Sequence, residues 1–299
     1  MPRPTRVNED SVARTAEVTT MEFRDFGPTE NQVAVIGQGT WNIDSGDIAS
    51  AITTLELGLD LGMNHIDTAE MYGPAEEIVG EAIAGRRDEV FLASKVLPSN
   101  ASYEGTLRAC ERSLRRLKTD WLDLYMLHWP GSYPIRETMR AMEKLVSEGA
   151  IRCIGVSNFD LDDLKAAERA LSNEPMTANQ VLYHLGDRGI ERRLLPYCAE
   201  REIALVGYAP FGHGNFPSPQ SAGGRLLAAI GERHGRTARQ VALNFLTRHP
   251  HVFTIPKTTH PERVRENAGG AGWTLTPEEI AAIDRAFPAP AFDVPLGVL

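Results

Sequence analysis

The most constraining feature of this chain is a repeated pattern, in which a short apolar run ends on a polar residue and an amphipathic stretch follows. Eight such runs end on Thr40, Asp67, Lys95, His128, Ser157, Gln180, Tyr208 and Lys257. Neighbouring ends lie 23 to 49 residues apart, which leaves room for a strand and a helix in each interval. Eight such units within about 250 residues predict an α/β fold, a closed (β/α)8 TIM barrel.

The competing architecture is a doubly wound parallel sheet. Such a sheet would bind a dinucleotide through the fingerprint G-x-G-x-x-G at the start of a helix. The two candidate stretches, Gly37-Gln38-Gly39 and Gly212-His213-Gly214, lack both the third glycine and the helix. The barrel is therefore the favoured fold.

Both ends of the chain add to this barrel. Residues 22–26 and 32–36 alternate in polarity around a Gly-Pro turn, which predicts an N-terminal β-hairpin. The interval from Tyr208 to Lys257 has room for two helices, and Thr276-Pro277-Glu278-Glu279 predicts a further capped helix near the C-terminus. Residues 1–20 lack apolar periodicity, so we expect a mobile leader there and a single barrel domain over residues 21–299.

Composition excludes several classes of partner. The net charge of −9 argues against nucleic acid or an anionic membrane, both of which select basic surfaces. No apolar run is long enough to span a bilayer, and the first residues do not form a signal peptide. The three cysteines have no Cys-x-x-Cys spacing, which indicates buried free thiols and a cytoplasmic protein. The histidines lack metal-ligand spacing, so we expect no metal.

Four reactive side chains fall at or just beyond neighbouring strand ends. Asp67, Lys95 and His128 end three successive strands, and Tyr72 follows Asp67 by five residues in a loop. Taken alone, Asp67 could be a helix cap and His128 a core histidine. Because the carboxyl ends of all barrel strands open on one face, the four residues form a candidate catalytic cluster.

The chemistry of this cluster is that of a general acid. A free tyrosine has a pKa near about 10, and lowering it by about three units requires about 4 kcal/mol. A buried Lys95 would favour the phenolate of Tyr72, while Asp67 would keep the lysine charged. His128 could donate a hydrogen bond to an oxygen in the same site. Such a group could protonate a carbonyl oxygen as negative charge develops on it.

None of these side chains can supply a hydride, so a cofactor is required. Ser157, Asn158 and Gln180 stand at two later strand ends and suit the carboxamide of a nicotinamide. Tyr208, at the next strand end, could stack on the nicotinamide ring.

The segment after the last strand suits an anionic group. Thr259 and Glu262 fit a capping box at a helix start, and a helix amino terminus attracts anions. Lys257 and Arg263 bracket that start, as an adenosine 2′-phosphate would require.

Taken together, these motifs resemble the aldo-keto reductase superfamily, in particular its bacterial-type NADPH-dependent aldehyde and ketone reductases. The likeness extends over about residues 21–288. Its motifs are Gly39-Thr40-Trp41, His65-Ile66-Asp67-Thr68-Ala69 with Tyr72-Gly73, Ser94-Lys95, Leu127-His128-Trp129-Pro130, Gly155-Val156-Ser157-Asn158-Phe159, Asn179-Gln180, Tyr208-Ala209-Pro210, Ile255-Pro256-Lys257 and Arg263-x-x-Glu266-Asn267.

The resemblance implies a (β/α)8 barrel that transfers hydride from NADPH to a carbonyl, with Tyr72 as proton donor supported by Lys95, Asp67 and His128. It assigns a set of positions to the cofactor: Thr40, Asp67, Ser157, Asn158, Gln180, Tyr208, Ala209, Pro210, Phe211, Lys257, Thr258, Arg263, Glu266 and Asn267. It places Trp41 and Trp129 in the substrate pocket, while His213 could line that pocket or be structural. The expected partner is a small carbonyl substrate, and the expected state is a monomer or weak homo-oligomer.

Two alternatives remain open at this point. An NADPH-binding regulatory subunit, or redox sensor with little turnover, would retain the same cofactor residues. A metal-dependent barrel hydrolase would need His and Asp/Glu ligands clustered at strand ends, and the sequence lacks them. The resemblance implies that the identity of the substrate depends on the loop over residues 211–224 and on the C-terminal tail.

Overall fold

The structure is a computed structural model that describes residues 21–299. The predicted leader over residues 1–20 lies outside the described residues. The described chain opens with the predicted hairpin, in which β1 (Phe23–Asp25) pairs antiparallel with β2 (Gln32–Ala34). The turn needs Gly27, because its φ is +62° and an added Cβ would lie 2.5 Å from the Thr177 carbonyl oxygen.

This hairpin covers one end of the barrel with buried apolar residues, among them Phe26 and Val33. Phe26 is fully buried, and its ring centroid lies 4.6 Å from that of Phe91 and 4.9 Å from that of Phe253. The Phe91 ring belongs to the first residue of its strand, so the hairpin closes the amino-terminal end. The opposite, carboxyl-terminal end of the barrel is left for the loops that carry the reactive residues.

Eight parallel strands form the barrel wall in the order of the sequence. They are β3 (Gln38–Gly39), β4 (His65–Asp67), β5 (Phe91–Val96), β6 (Leu122–Leu127), β7 (Ile151–Ser157), β8 (Met176–Leu182), β9 (Ala204–Tyr208) and β10 (Val252–Thr254). Parallel bridges from Ile36 to Thr254 and from Gly39 to Lys257 join the first strand to the last. The predicted (β/α)8 barrel is confirmed.

Helices surround the strands, and the extra helices lie where the sequence leaves room for them. They are α1 (Ile48–Asp60), α2 (Ala75–Ala82), α3 (Tyr103–Leu117), α4 (Ile135–Ser147), α5 (Leu161–Ala170), α6 (Leu194–Glu200), α7 (Ala222–His234), α8 (Ala238–Leu246), α9 (Pro261–Ala268) and α10 (Pro277–Ala286). Short 3-10 turns cover Arg87–Glu89, Pro98–Asn100 and Gly189–Glu191. Both α7 and α8 lie between β9 and β10, and α10 follows the barrel, as predicted.

The helix starts show where local sequence signals succeed and fail. The capping box predicted at Thr276 is present, because Thr276 and Glu279 cap each other across the first turn of α10. The box predicted at Thr259 and Glu262 is wrong. Proline has no N–H and a fixed φ, which suits the first helical position, so α9 begins at Pro261 and no side chain caps it.

The core consists of two layers. The larger layer lies between the sheet and its helices, and a smaller cluster that includes Phe26, Leu124 and Val206 fills the barrel interior. Cys110, Cys153 and Cys198 are buried and free, as predicted. Over residues 21–299, none of the helices has the length and apolar character needed to cross a membrane.

Candidate active site

A buried ion pair lies at the carboxyl-terminal end of the barrel. Asp67 ends β4, and Lys95 lies in the neighbouring strand β5. The two residues are 1% and 0% exposed. The Lys95 ammonium donates to Asp67 Oδ1 at 2.6 Å and to the Thr68 carbonyl oxygen at 2.9 Å. Gln180 Nε2 donates to the other carboxylate oxygen at 2.7 Å, so both oxygens of Asp67 are hydrogen-bonded.

Tyr72 and His128 complete the cluster above this pair. The Tyr72 hydroxyl lies 3.4 Å from His128 Nε2, and the Lys95 ammonium lies 5.0 Å from the centroid of the phenol ring. Through its charge, Lys95 lowers the pKa of Tyr72. The structure thus brings together all four residues of the predicted catalytic cluster.

The electrostatics of Lys95 agree with the prediction. Burial disfavours its charged form most strongly, but the nearby Asp67 and Tyr72 outweigh that effect and raise the pKa of Lys95. The ammonium is therefore charged at neutral pH. Asp67 is the counter-charge of this ammonium, and both groups are buried.

The expected lowering of the Tyr72 pKa is wrong for the protein alone. Lys95 lowers the pKa of Tyr72 as predicted, but burial of the hydroxyl is the larger effect, and the net pKa is raised above 10. The sequence argument counted the neighbouring charge and left out the desolvation of the phenolate. Tyr72 consequently keeps its proton, which is the form that a general acid requires before it acts.

His128 is neutral in this site. Burial, followed by the charge of Lys95, lowers the pKa of His128 to about 2. Among the described residues, Nδ1 has no hydrogen-bond partner, while Nε2 faces the Tyr72 hydroxyl. In the tautomer that carries its proton on Nε2, the imidazole can donate a hydrogen bond towards an oxygen beside Tyr72.

Polar side chains from the next strands continue this arrangement. Tyr208 donates from its hydroxyl to Asn158 Oδ1 at 2.9 Å, and Asn158 Nδ2 donates to the His128 carbonyl oxygen at 3.1 Å. Asn158 and Ala209 both have a positive φ, at 59° and 50°. Such conformations are uncommon outside glycine and occur often at functional sites, here directly after β7 and β9.

A cleft of about 700 Å³ opens above the cluster. The sequence-predicted residues that line it are Thr40, Trp41, Asp67, Tyr72, His128, Trp129, Ser157, Asn158, Gln180, Tyr208, Ala209, Pro210, Phe211 and Lys257. Lys95 lies beneath the cleft and is fully buried. One cleft therefore collects the residues predicted for proton transfer, for a nicotinamide and for a substrate.

Four predicted cofactor residues lie outside that lining. Thr258 follows β10, and the other three are on α9, where Arg263 is exposed. Glu266 accepts a hydrogen bond from the Thr237 hydroxyl at 2.7 Å, and Asn267 is 3% exposed. Lys257, which does line the cleft, is half-buried. Burial lowers the pKa of Lys257, and the smaller effect of the Asp44 charge, which raises it, does not compensate.

The sequence did not identify several other lining residues. Met71 flanks Tyr72, and Val298 and Leu299 come from the far C-terminal end. His213, for which the sequence left open a pocket position or a structural one, does line the cleft, and its ring stacks on Trp41 with centroids 5.2 Å apart. In the sequence, His213 stands between two glycines, which indicates an irregular turn at this point. In the structure all three residues have a positive φ. No local pattern indicates where Val298 and Leu299 lie.

These groups together can deliver a proton into a largely apolar cleft. Tyr72 holds the proton, Lys95 favours its release, and His128 can share the oxygen that receives it. No cluster of three potential metal ligands occurs in residues 21–299. The arrangement suits the protonation of an oxygen that gains negative charge.

Comparison with known proteins agrees with this chemistry. The family model described as the Aldo/keto reductase family matches residues 35–287. The chain is 42% identical over 259 residues to methylglyoxal reductase YeaE of Escherichia coli K12, covering 85% of this chain and 91% of that protein. It is 36% identical over 250 residues to glyoxal reductase of Bacillus subtilis 168, covering 83% and 87% of the two chains.

Solved structures give the same result. A crystal structure of an aldo/keto reductase from Klebsiella pneumoniae in complex with NADP and acetate is 41% identical, with a TM-score of 0.87. The match covers 93% of this chain and 100% of that one. Sequence, fold and site agree, and the chain belongs to the aldo/keto reductase family.

Proposed function

We propose that this protein reduces aldehydes or ketones with NADPH and that Tyr72 protonates the carbonyl oxygen. The observation that carries the proposal is the fully buried Lys95–Asp67 pair at 2.6 Å, placed beneath a protonated Tyr72 at the floor of the cleft. A buried ion pair is costly to maintain, and this one supports the phenol that lines the cleft beside His128.

The protein's own residues prepare the proton transfer. Tyr72 donates its proton to the carbonyl oxygen, and the nearby Lys95 ammonium stabilises the phenolate that forms. Asp67 keeps that ammonium charged, and neutral His128 donates a hydrogen bond to the same oxygen. When bound, NADPH supplies the hydride that none of these side chains can provide.

The donor groups in the cleft fit a nicotinamide cofactor. Ser157, Asn158 and Gln180 present hydroxyl and amide groups at adjacent strand ends, and the Tyr208 ring lines the same cleft. These groups would hold the carboxamide and the ring of the nicotinamide, with Thr40, Ala209, Pro210 and Phe211 along its path.

The other end of the cofactor would lie along α9. Lys257, Thr258 and Arg263 would hold the 2′-phosphate, and Glu266 and Asn267 would contact the adenine. The support for NADPH is the pair of cations around this segment, together with the NADP in the Klebsiella pneumoniae relative.

Several further points belong to this proposal. The substrate class is a small aldehyde, ketone or α-oxoaldehyde, with Trp41 and Trp129 as walls of the pocket, since the relatives named above are methylglyoxal and glyoxal reductases.

Residues 21–299 would act as one domain, as a monomer or weak homo-oligomer, and would not bind nucleic acid. Free buried thiols support a cytoplasmic location. The relatives are named as reductases, so a regulatory subunit is not proposed.

A panel of carbonyl compounds tests the proposal directly. NADPH oxidation is followed with propanal, methylglyoxal and an aryl aldehyde, and each reaction is repeated with NADH. We expect turnover of at least one aldehyde, with NADPH preferred. Absence of turnover across the panel, with the protein folded and NADPH bound, would contradict the proposed activity.

A further inference from the structure

The loop that carries Tyr72 is attached to the strand that carries Lys95. Residues 68–74 connect β4 to α2, and we name this segment the tyrosine loop. Glu70 N–H donates to the Lys95 carbonyl oxygen at 3.2 Å, whereas Tyr72 N–H bonds within the loop, to the Ala69 carbonyl oxygen at 3.1 Å. Glu70 therefore attaches the loop to β5 two residues before the Tyr72 phenol.

The side chain of Glu70 adds a second attachment to the same part of the barrel. Its Oε1 accepts hydrogen bonds from the Leu97 N–H at 2.6 Å and from Asn100 Nδ2 at 3.0 Å. Leu97 directly follows β5, two residues after Lys95. Oε2 lies 3.4 Å from Arg112 Nη2 on α3, and the Glu70 side chain is 6% exposed. A largely buried carboxylate thus joins the tyrosine loop to the segment that follows Lys95.

A second carboxylate joins the other side of the loop to the same strand. Glu76, in the first turn of α2, accepts a hydrogen bond from the Ser94 hydroxyl at 2.6 Å, and Ser94 directly precedes Lys95. Glu76 is 1% exposed and also accepts from Arg116 Nε at 2.6 Å. Along the chain, Tyr72 therefore stands between two glutamates that reach the residues flanking Lys95.

Of these two glutamates, Glu70 is the one that belongs to the loop itself. Glu76 is part of α2, which packs between α1 and α3 and is held by that packing as well. The outer side of the loop has few neighbours, because Met71 is 44% exposed and an added Cβ at Gly73 would meet no atom of the described chain closer than 3.6 Å. The hydrogen bonds of Glu70 therefore supply most of the restraint on Tyr72.

We propose that Glu70 is a positioning residue for proton transfer, because its hydrogen bonds to the segment after β5 hold the Tyr72 hydroxyl within reach of Lys95. This inference rests on the proposed function. The role depends on the length of the side chain, since its oxygen must reach the Leu97 N–H. The charge of Glu70 matters less, because the side chain of its partner Arg112 is 40% exposed and the pair is 3.4 Å apart.

Two conservative variants separate side-chain length from charge. Glu70→Asp keeps the charge but shortens the side chain by one methylene, about 1.5 Å, so the carboxylate reaches the Leu97 N–H only if the tyrosine loop moves. Glu70→Gln loses the charge but keeps an acceptor oxygen at full length.

Glu143→Asp is the matched control for the shortened side chain. Glu143 Oε1 accepts from the N–H groups of Ser172 and Asn173 at 2.7 and 2.6 Å, and Glu143, like Glu70, is partly buried. The segment that it holds precedes β8, so it lies at the end of the barrel opposite the cleft.

The measured quantities are the single-turnover rate of propanal reduction per NADPH-binding site and the dissociation constant of NADPH. Misplacing a reacting group by about 1 Å can cost about 10²-fold in rate. We expect Glu70→Asp to lower the rate about 10- to 100-fold, while Glu70→Gln and Glu143→Asp stay within about threefold. The dissociation constant should stay within about twofold in all three variants. A merely structural role would reduce the number of binding sites and leave the rate at each site unchanged.

Three results would overturn the proposal. They are an unaltered rate in Glu70→Asp, an equal loss in Glu70→Gln, and an equal loss in Glu143→Asp.

If the unaltered protein reduces none of the aldehydes, the proposed function fails, and the position of Tyr72 is followed without turnover. In protein labelled with carbon-13 at Cζ of tyrosine, the NMR signal that disappears in Tyr72→Phe belongs to Tyr72. Glu70→Asp should shift this signal, and Glu70→Gln should leave it in place. A Tyr72 signal that is unshifted in Glu70→Asp would refute the positioning role.

Discussion

The strongest consequence of the site geometry concerns Asp67. Replacement of Asp67 by asparagine keeps the size of the side chain but removes the counter-charge from Lys95, whose ammonium is fully buried and 2.6 Å away. Removing one partner of a buried ion pair costs about 3–5 kcal/mol. Burial is already the largest influence on Lys95 and acts to lower its pKa. Buried lysines without a partner have pKa values of about 5–6, so Lys95 should be neutral at pH 7 in this variant.

A neutral Lys95 no longer favours the phenolate of Tyr72. We expect kcat for aldehyde reduction at pH 7 to fall about 10²–10⁴-fold, the usual contribution of a general acid. Because the amine regains its proton at low pH, the variant should recover part of its activity between about pH 7 and pH 5, relative to the unaltered enzyme. Stopped-flow measurement of the reduction step across this pH range separates the loss from any change in product release.

A buried aspartate at the opposite end of the barrel provides the control. Asp123 is 3% exposed and pairs with Arg87 and Arg152, remote from the cleft. Asp123→Asn should lower stability and leave kcat unchanged. The reasoning is refuted if Asp67→Asn stays within about twofold of the unaltered kcat, or loses activity equally at every pH.

Three further predictions address the cofactor, the pH dependence of stability and the barrel floor. Replacement of Arg263 by alanine should weaken NADPH binding about 10- to 100-fold and NADH binding less than twofold, measured by fluorescence titration, because only NADPH carries the 2′-phosphate. Burial raises the pKa of Glu191, but hydrogen bonds and charges from Arg188, Arg248 and Tyr183 outweigh it and lower the pKa from 4.5 to about 2. Its stabilisation is thus present above pH 4.5 and lost as the pH falls towards 2, so Glu191→Gln should cost about 3 kcal/mol at pH 7 and little near pH 2 in urea unfolding. Phe26→Ala should destabilise the protein by about 3–5 kcal/mol while leaving the KM for NADPH unchanged, since its ring packs at the end opposite the cleft.

Much of the site could be predicted from the sequence, because residues that end different strands of a parallel barrel lie close together in space even when they are far apart in the chain. Asp67, Lys95 and His128 are far apart in the chain, yet each ends a strand, and parallel strands bring their carboxyl ends to one face. The same reasoning located Gln180, whose hydrogen bond to Asp67 joins the two halves of the site. Periodicity and strand ends were therefore sufficient to predict that these side chains lie close together.

The sequence was less informative where burial or loop contacts decide the outcome. The direction of the Tyr72 pKa depends on the balance between desolvation and the charge of Lys95, and a spacing pattern contains no measure of burial. His213 stacks on Trp41, and Leu299 lines the cleft. These residues lie in loops and in the tail, where the sequence has no periodic pattern from which a contact could be predicted. The start of α9 was misplaced because Pro261 outweighs the capping pattern that Thr259 offers.

The most direct test of the account is the replacement of Tyr72 by phenylalanine, which removes one hydroxyl and keeps the ring. Single-turnover reduction of an aldehyde and the dissociation constant of NADPH are measured on the same preparation, with Tyr125→Phe as a control that removes a buried hydroxyl outside the cleft. The account predicts that Tyr72→Phe abolishes reduction while NADPH still binds, and that Tyr125→Phe remains active. Reduction by Tyr72→Phe at the rate of the unaltered protein would contradict it.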